Sequence, residues 1–331
     1  MDEEIPALFR PIQVGTMCLQ HRVVHAPLTR FRANAQHAHT DIAVTYHAQR
    51  ATEPGTLLIS ESITIVPEAT GRYNVPGIWS EEQIAAWKRI TDAVHAKGSY
   101  IFAQLRAYGR TADPEVLAVE GPFPFISSSN VPLSDSAVPR ALTVAVFRHA
   151  LLEIKQWIGW YVESAKHAIQ AGFDGVQLHA ANGYLVDQFI SDRCNKRTDD
   201  YGGSIENRCR FVLETMDAIC EAVGEDKTAI RLSPWSDFQE VLMEDPIPTY
   251  TYIVRKLAEQ HPSLAFLDLV EPGIKGAGDG EALVGQSNDF IRTIWSPRPL
   301  ISAGNYTRES AIETAETKGD LIAFGRPFIG N

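Results

Sequence analysis

The chain has 331 residues, of which 44% are hydrophobic and 21% charged. Lys and Arg total 30 and Asp and Glu total 41, which gives a formal net charge of −11. An acidic protein of this kind has no electrostatic attraction to nucleic acid or to an anionic membrane. The length exceeds the usual single-domain size, but α/β barrels often run this long as one domain.

The amino terminus and the cysteines favour a reducing, cytoplasmic location. The opening MDEEIPALFRP is acidic and lacks the apolar segment of a secretory signal. No apolar run approaches the roughly 18 residues that a membrane helix needs. The cysteines at 18, 194, 209 and 220 have no metal-like spacing, so we expect free thiols. The histidine pairs lack a third ligand, and we predict no metal site.

The first predicted element is a hairpin around Gly15 that plugs the bottom of a barrel. Apolar, β-branched runs then recur along the chain, and near-continuous runs of this kind are typical of strands covered on both faces. They lie at residues 22–28, 56–65, 99–106, 175–179, 228–234, 264–272, 299–305 and 321–330.

Helical patterns separate these runs. The clearest, at 80–98, opens with Ser80 and Gln83 in capping-box spacing and closes with Gly98. The others lie at 41–51, around 147–171, and at 204–224, 251–261, 287–295 and 307–319. Eight strands with helices between them predict an α/β protein with a (β/α)₈ TIM barrel, with a doubly wound sheet as the alternative.

Two stretches depart from this regular alternation. The connection from 107 to about 143 is long and rich in Pro and Ser, and because it follows strand 3 we expect it over the barrel mouth. The sequence ends at Asn331, directly after the predicted strand 8. We therefore predict a single domain over 1–331 in which the eighth outer helix is missing.

Barrel enzymes place their chemistry at the carboxyl ends of the strands. The predicted ends carry Pro27, Leu28, Thr29, Ser62, Gln104, Arg106, His179, Arg231, Gly304, Asn305, Gly325 and Arg326, with Asn182 and Tyr184 just beyond strand 4. Small residues and an arginine after strands 7 and 8 suit a phosphate. The donors at 104, 179, 182 and 231 suit a planar, acceptor-rich ring. These features indicate a nucleotide-like cofactor, and the absence of GxGxxG argues against a Rossmann dinucleotide site.

Each of these residues also has a purely structural interpretation. Gly304 and Gly325 would relieve crowding where strands end, and Arg231 would pair with a neighbouring acid. His179 alone is more often a hydrogen-bonded structural histidine. What favours function is that all of these residues converge on one face of one predicted barrel.

Nine motifs resemble the Old Yellow Enzyme family of FMN-dependent ene-reductases, and most closely its fungal and yeast members. They occur in the family's order over essentially the whole chain: APLTR (26–30), PGIWSEEQI (76–84), HAANGYLVDQF (179–189), RTDDYGGSIENR (197–208), RLSPW (231–235), LVEPG (269–273), SNDF (287–290), AGN (303–305) and GRPFI (325–329).

The resemblance implies a role for each site residue. Pro27, Leu28, Thr29 and Ser62 would lie along the FMN ring, Gln104 and Arg231 would bind its pyrimidine edge, and Gly304, Asn305, Gly325 and Arg326 would hold its phosphate. His179 and Asn182 would bind the carbonyl oxygen of a substrate, and Tyr184 would donate the proton. These roles imply NADPH-driven reduction of the C=C bond of a small-molecule α,β-unsaturated carbonyl compound, with hydride from flavin N5. The resemblance is compatible with a homodimer and does not decide the oligomeric state.

Two alternatives to a general ene-reductase remain. One is a dedicated reductase or isomerase of a fungal specialised-metabolite pathway, and the other is a barrel that binds flavin or phosphate without catalysis. Isomerase-type relatives lack the tyrosine, so Tyr184 favours net reduction.

Three features depart from the family pattern. Ser62 stands where the family often has Gly or Ala, and Arg106 stands where many members carry Trp. Arg106 is a candidate substrate-binding residue that could change the preferred shape and charge of the substrate, although we favour pairing with a nearby acid. Members of the family also continue past strand 8 with a helix and a tail. We expect this segment to be missing here, so it is open whether FMN is retained.

Overall fold

The computed structural model describes residues 5–143, 153–276 and 278–330. Eight parallel strands form a closed barrel in which each strand pairs with the next and the last pairs with the first. They are β1 (Val23–His25), β2 (Leu57–Ile59), β3 (Tyr100–Arg106), β4 (Gly175–Ala180), β5 (Thr228–Leu232), β6 (Phe266–Val270), β7 (Leu300–Ala303) and β8 (Leu321–Phe324). The predicted (β/α)₈ barrel is confirmed, and the doubly wound alternative is wrong.

A helix follows each strand, and the one after β8 has only five residues. The helices are α1 (Asp41–Arg50), α2 (Glu81–His95), α3 (Glu153–Gln170), α4 (Ile205–Val223), α5 (Ile247–Gln260), α6 (Asp289–Trp295), α7 (Arg308–Lys318) and α8 (Arg326–Gly330). The predicted capping box of α2 is present between Ser80 and Gln83. The predicted start of α3, near 147, lies outside the described residues. No helix in the described ranges is both long enough and apolar enough to cross a membrane.

The structure divides two of the predicted strands. The run 56–65 contains β2 and a second short strand, Ile63–Thr64, which pairs with β3. The run 321–330 contains β8 and then α8. Pro327 suits the first turn of a helix because its fixed φ is helical and its missing N–H is not needed there. Apolar composition alone does not separate a short strand from a short buried helix.

The amino-terminal hairpin closes the bottom of the barrel. Its strands, Ile12–Val14 and Met17–Leu19, pair antiparallel around Gly15, whose φ of 53° favours glycine. The buried side chains of the hairpin pack against residues at the start of the barrel strands, among them Leu57 and Phe102. The predicted plug is confirmed.

The connection after β3 is more ordered than its composition suggests. It contains the helix Pro114–Glu120 and two short paired strands, Ile126–Ser127 and Arg140–Ala141. Tyr108 and Thr111, at its start, line the cavity at the barrel mouth, where the connection was expected.

Candidate active site

A cavity of about 900 Å³ lies at the carboxyl ends of the barrel strands. Every residue predicted for the site lines it: Pro27, Leu28, Thr29, Ser62, Gln104, Arg106, His179, Asn182, Tyr184, Arg231, Gly304, Asn305, Gly325 and Arg326. The structure therefore brings together side chains from seven of the eight strand ends. Their roles stay predictions.

The turn after β4 places Tyr184 beside His179. Asn182 has a φ of 58° and Gly183 a φ of 76°, so two successive residues take the left-handed conformation and the chain bends sharply. Asn and Gly are the residues that adopt this conformation most readily. As a result, the rings of His179 and Tyr184 meet edge to face with their centroids 4.9 Å apart.

Buried side chains that were not among the predicted site residues fix this turn. The Asp187 carboxylate accepts a 2.8 Å hydrogen bond from the Gly183 N–H, and the Tyr250 hydroxyl donates to its other oxygen at 3.1 Å. The Ser233 hydroxyl accepts from the Asn182 N–H at 2.8 Å. Burial raises the pKa of Asp187 to about 7, although both of its donors favour the ionised form.

Gln188 links the same turn to the long connection after β3. Its amide nitrogen donates to the carbonyls of Gly183 at 2.8 Å and Tyr108 at 3.0 Å. Its amide oxygen accepts from the Arg110 N–H at 3.1 Å and from the Ser127 hydroxyl at 2.9 Å. Asp187 and Gln188 lie in the motif HAANGYLVDQF, and their polarity within an apolar helix was the available signal.

His179 is a neutral imidazole with unfilled hydrogen-bonding capacity. Burial lowers the pKa of His179 well below its usual value, and the positive charges of Arg106 and Arg231 lower it further. Its Nδ1 is buried and has no partner among the described residues, and the same is true of Oδ1 of Asn182. Buried polar atoms are nearly always hydrogen-bonded, so two such atoms at one cavity indicate a place for a ligand.

A chain of polar side chains crosses the barrel interior and orients Gln104. The Gln104 amide nitrogen donates to the Gln177 amide oxygen at 2.7 Å, and the Ser62 hydroxyl donates to the Gln104 oxygen. Gln177 donates in turn to Asp268 at 2.9 Å. Gln177 and Asp268 were not predicted from the sequence, in which they are isolated polar residues in apolar strands.

Arg231 meets the same carboxylate from its neighbouring strand. Its Nη1 donates to the Asp268 Oδ2 at 2.7 Å, and the two residues are register partners on β5 and β6. Burial raises the pKa of Asp268, and the charge of Arg231 opposes that shift. The structural interpretation of Arg231 as the partner of an acid is therefore correct. Its Nε is buried without a partner among the described residues, and the side chain still lines the cavity.

The ends of β7 and β8 lie side by side with small residues and exposed polar groups. Arg326 donates to the Asn305 amide oxygen at 3.5 Å, and both side chains are exposed. Gly304 has a φ of 146°, and a Cβ there would lie 2.6 Å from Ile274. Gly304 therefore does relieve crowding, as its structural interpretation holds, and it also forms part of the cavity wall.

Glu61 binds the backbone of the segment that follows β1. The buried carboxylate accepts a 3.0 Å hydrogen bond from the Arg30 N–H, directly after Pro27–Thr29. Burial raises the pKa of Glu61 to about 7, and the charges of nearby arginines oppose this shift. Glu61 thus holds the cavity wall through the backbone.

Arg106 does not pair with an acid, and that expectation is wrong. Within the described ranges the guanidinium forms no ion pair; it lies 4.0 Å from the ring centroid of Tyr108 and 4.7 Å from that of Tyr184. Its Nη2 donates to the Tyr108 hydroxyl at 2.6 Å. The period of a strand points positions 104 and 106 to the same side, which places Arg106 in the barrel mouth among aromatic residues.

Residues 7–331 match the sequence model of the NADH:flavin oxidoreductase / NADH oxidase family. The chain belongs to this family. Its structural neighbours are Old Yellow Enzymes, among them the homologue from Zymomonas mobilis, with a TM-score of 0.88 and 37% identity over 98% of this chain and 90% of that one.

Curated relatives of similar length are fungal reductases. The chanoclavine-I aldehyde reductase fgaOx3 of Penicillium roqueforti is 47% identical over 98% of this chain and 86% of its own length. The NADP-dependent oxidoreductase lnbE of Aspergillus flavus is 46% identical over the same shares of the two chains. A protein of Epichloe festucae var. lolii named probable inactive reductase easA is 44% identical, again over 98% and 86%.

Proposed function

We propose that the protein is an FMN-dependent ene-reductase that uses NADPH to reduce the C=C bond of α,β-unsaturated carbonyl compounds. The observation that carries this proposal is the convergence of His179, Asn182 and Tyr184 with Gln104 and Arg231 in one cavity. The reduction of an enone needs hydrogen-bond donors to the carbonyl oxygen, a proton donor and residues that bind the flavin. This cavity supplies residues for all three.

The residues of the cavity fit FMN. Gln104 is held by Ser62 and Gln177, and Arg231 by Asp268, so both present fixed donors to a ring edge. Pro27, Leu28 and Thr29 would lie along the ring, and Gly304, Asn305, Gly325 and Arg326 would hold the phosphate. Bound FMN would supply the hydride for the β-carbon of the substrate. NADPH as the reductant is supported by the name of the relative lnbE.

His179 and Asn182 are the proposed donors to the carbonyl oxygen. Negative charge develops on this oxygen as the double bond is reduced, and fixed donors stabilise it without reorganisation. Removal of one such donor in other enzymes costs about 2.7–4 kcal/mol of transition-state stabilisation. The turn at 182–183 holds the two side chains together, and its geometry is set by Asp187 and Ser233.

Tyr184 is the proposed acid that protonates the α-carbon. Its ring packs edge to face against that of His179, and Tyr184 lines the same cavity as His179 and Asn182. A positioned general acid typically contributes about 10² to 10⁴ in rate. Tyr184 also favours net reduction over isomerisation, because only reduction requires that the α-carbon be protonated after hydride addition.

A dedicated reductase of fungal specialised metabolism is the second candidate, and the name of the relative fgaOx3 favours it. This candidate shares the chemistry above and differs only in the breadth of substrates. The name of the easA relative raises a third possibility, a barrel without catalysis.

Spectroscopy of the purified protein tests the proposal. We expect a yellow protein with flavin absorbance that NADPH bleaches under anaerobic conditions and that an enone restores. NADH in a parallel titration determines the nicotinamide preference. Flavin that neither nicotinamide reduces would support the non-catalytic alternative, and a protein that takes up no FMN would contradict the assignment of the cavity.

A further inference from the structure

The charge of the cavity is opposite to that of the chain. The protein carries a formal net charge of −11. Among the described residues that line the cavity there are nevertheless five arginines and no aspartate or glutamate: Arg30, Arg72, Arg106, Arg231 and Arg326. Such a lining concentrates positive potential in one concave site and attracts anions to it.

The positive charge of four of these arginines is accounted for by an ion pair, by the proposed phosphate site or by exposure to solvent. Arg231 pairs with Asp268, and Arg326 lies with Asn305 at the proposed phosphate site. Arg72 is half exposed and lies 3.8 Å from Asp113, and Arg30 is partly exposed at the rim. Arg106 differs because it is only 2% exposed and forms no ion pair within the described ranges.

The guanidinium of Arg106 has more donors than the described residues use. One nitrogen donates to the Tyr108 hydroxyl, and Nε is buried without a partner in this part of the chain. The two tyrosine rings stabilise the cation through their faces, but they accept no strong hydrogen bond. The Glu61 carboxylate feels the charge of Arg106, yet it is not at ion-pair distance and is bound to the Arg30 backbone.

The location of this cation connects it to the substrate. It lies 4.7 Å from the ring centroid of Tyr184, the proposed proton donor, and its charge helps to keep His179 neutral. A group that binds Arg106 would thus belong to the molecule whose α-carbon receives the proton. A guanidinium prefers a carboxylate, which it can bind with two parallel hydrogen bonds.

We propose that Arg106 is a substrate-binding residue for a carboxylate, so that the preferred substrates are α,β-unsaturated carbonyl compounds that carry a carboxylate near the double bond. This inference rests on the proposed function. It also implies that the site discriminates against substrates with an ammonium group, because Arg106 would repel a second positive charge.

The test uses the FMN-loaded enzyme and three linear enones of one carbon skeleton. The first carries a terminal carboxylate two methylenes from the double bond, the second its methyl ester, and the third a dimethylamine. We expect kcat/KM to fall by about tenfold or more from acid to ester, which corresponds to about 1.4 kcal/mol, and to fall further for the amine. A second readout is the affinity of the saturated acid and of its ester, measured by calorimetry, since neither compound can be reduced. We expect the acid to bind more tightly than the ester.

Substitutions assign the preference to Arg106. Arg106→Met should remove the preference for acid over ester in both readouts, and Arg106→Lys should retain part of it. Arg89→Met, which removes a half-exposed arginine of α2, is the control for net charge and should keep the full preference. Because each preference is a ratio within one protein, partial loss of FMN does not affect it, and Arg106→Lys serves if Arg106→Met fails to fold.

The outcomes separate this inference from the proposed function. Equal reduction and equal binding of acid and ester by the wild-type enzyme would overturn the role of Arg106 and leave the ene-reductase proposal standing. The same applies if Arg106→Met keeps the preference. If no enone is reduced although NADPH bleaches the flavin, the proposed function is wrong, and the calorimetric comparison still decides whether Arg106 binds carboxylates.

Discussion

Asp187→Asn tests whether the buried carboxylate after β4 holds the active-site turn. Asp187 is not in direct contact with the proposed substrate position, so its effect must be transmitted through the Gly183 backbone. The substitution keeps the size of the side chain. It replaces one acceptor oxygen by an NH₂ group that faces a donor, either the Gly183 N–H or the Tyr250 hydroxyl.

The size of the effect follows from the two hydrogen bonds of Asp187. Both lie in a fully buried environment, at 2.8 and 3.1 Å. A buried donor left without an acceptor costs about 1–3 kcal/mol. Asp187→Asn leaves at least one such donor, so we expect a loss of about 1–3 kcal/mol in the free energy of unfolding. Tyr250→Phe removes a donor and leaves a buried acceptor, and we expect a smaller loss of about 1 kcal/mol.

Chemical denaturation and enone turnover measure the two consequences. We expect Asp187→Asn to lower both stability and the rate of enone reduction, because Tyr184 follows the loosened Gly183 directly. Asp192→Asn, the same change at an exposed position five residues further along, should change neither. Full stability with full turnover in Asp187→Asn would refute the argument that this carboxylate fixes the turn.

The remaining predictions concern the proposed donors to the carbonyl oxygen, the binding of FMN and the dependence of stability on pH. His179→Ala combined with Asn182→Ala should raise KM for an enone and abolish the charge-transfer band of bound phenols, while flavin content stays unchanged; loss of flavin with intact phenol binding would contradict this. Asp268→Asn should weaken FMN retention, measured as Kd by fluorescence titration, because it removes the negative charge that is paired with Arg231; an unaltered Kd would mean that Arg231 is positioned without that charge. Glu61 has a folded pKa of about 7 against an ordinary value of 4.5, so its contribution to stability should be lost as pH rises from 4.5 through 7. Glu61→Gln should flatten that part of the pH–stability profile, and an unchanged slope in denaturation curves would show that Glu61 does not titrate there.

The sequence predicts the barrel well because its strands and helices have distinct apolar patterns. Strands buried on both faces are continuous apolar runs, and the outer helices are amphipathic with recognisable caps, such as Ser80 and Gln83 of α2. Short elements at the end of a run are harder. Residues 326–330 continue the apolar character of β8, and only the position of Pro327 indicates the change to a helix.

The location of the site also follows from sequence, because the carboxyl ends of parallel strands meet at one rim. The interactions between side chains do not. Arg106 was expected beside an acid, but the partners of a side chain at the rim depend on how the connecting segments fold over it. Its neighbour Tyr108 lies in the long connection, whose course is not periodic. Gln177 and Asp268 are recognisable as a pair only after the strand register is known.

Transient kinetics of Tyr184→Phe test the central claim most directly. The substitution removes one oxygen and keeps the ring, so the contact with His179 should persist. We predict near-normal reduction of the flavin by NADPH and reoxidation by a simple enone that is slower by about 10² to 10⁴. Quinones should be affected less, because their reduced oxygens can take protons from solvent. Equal slowing of both half-reactions would show that the phenol has a structural role, and unchanged rates in both would show that Tyr184 is not the acid.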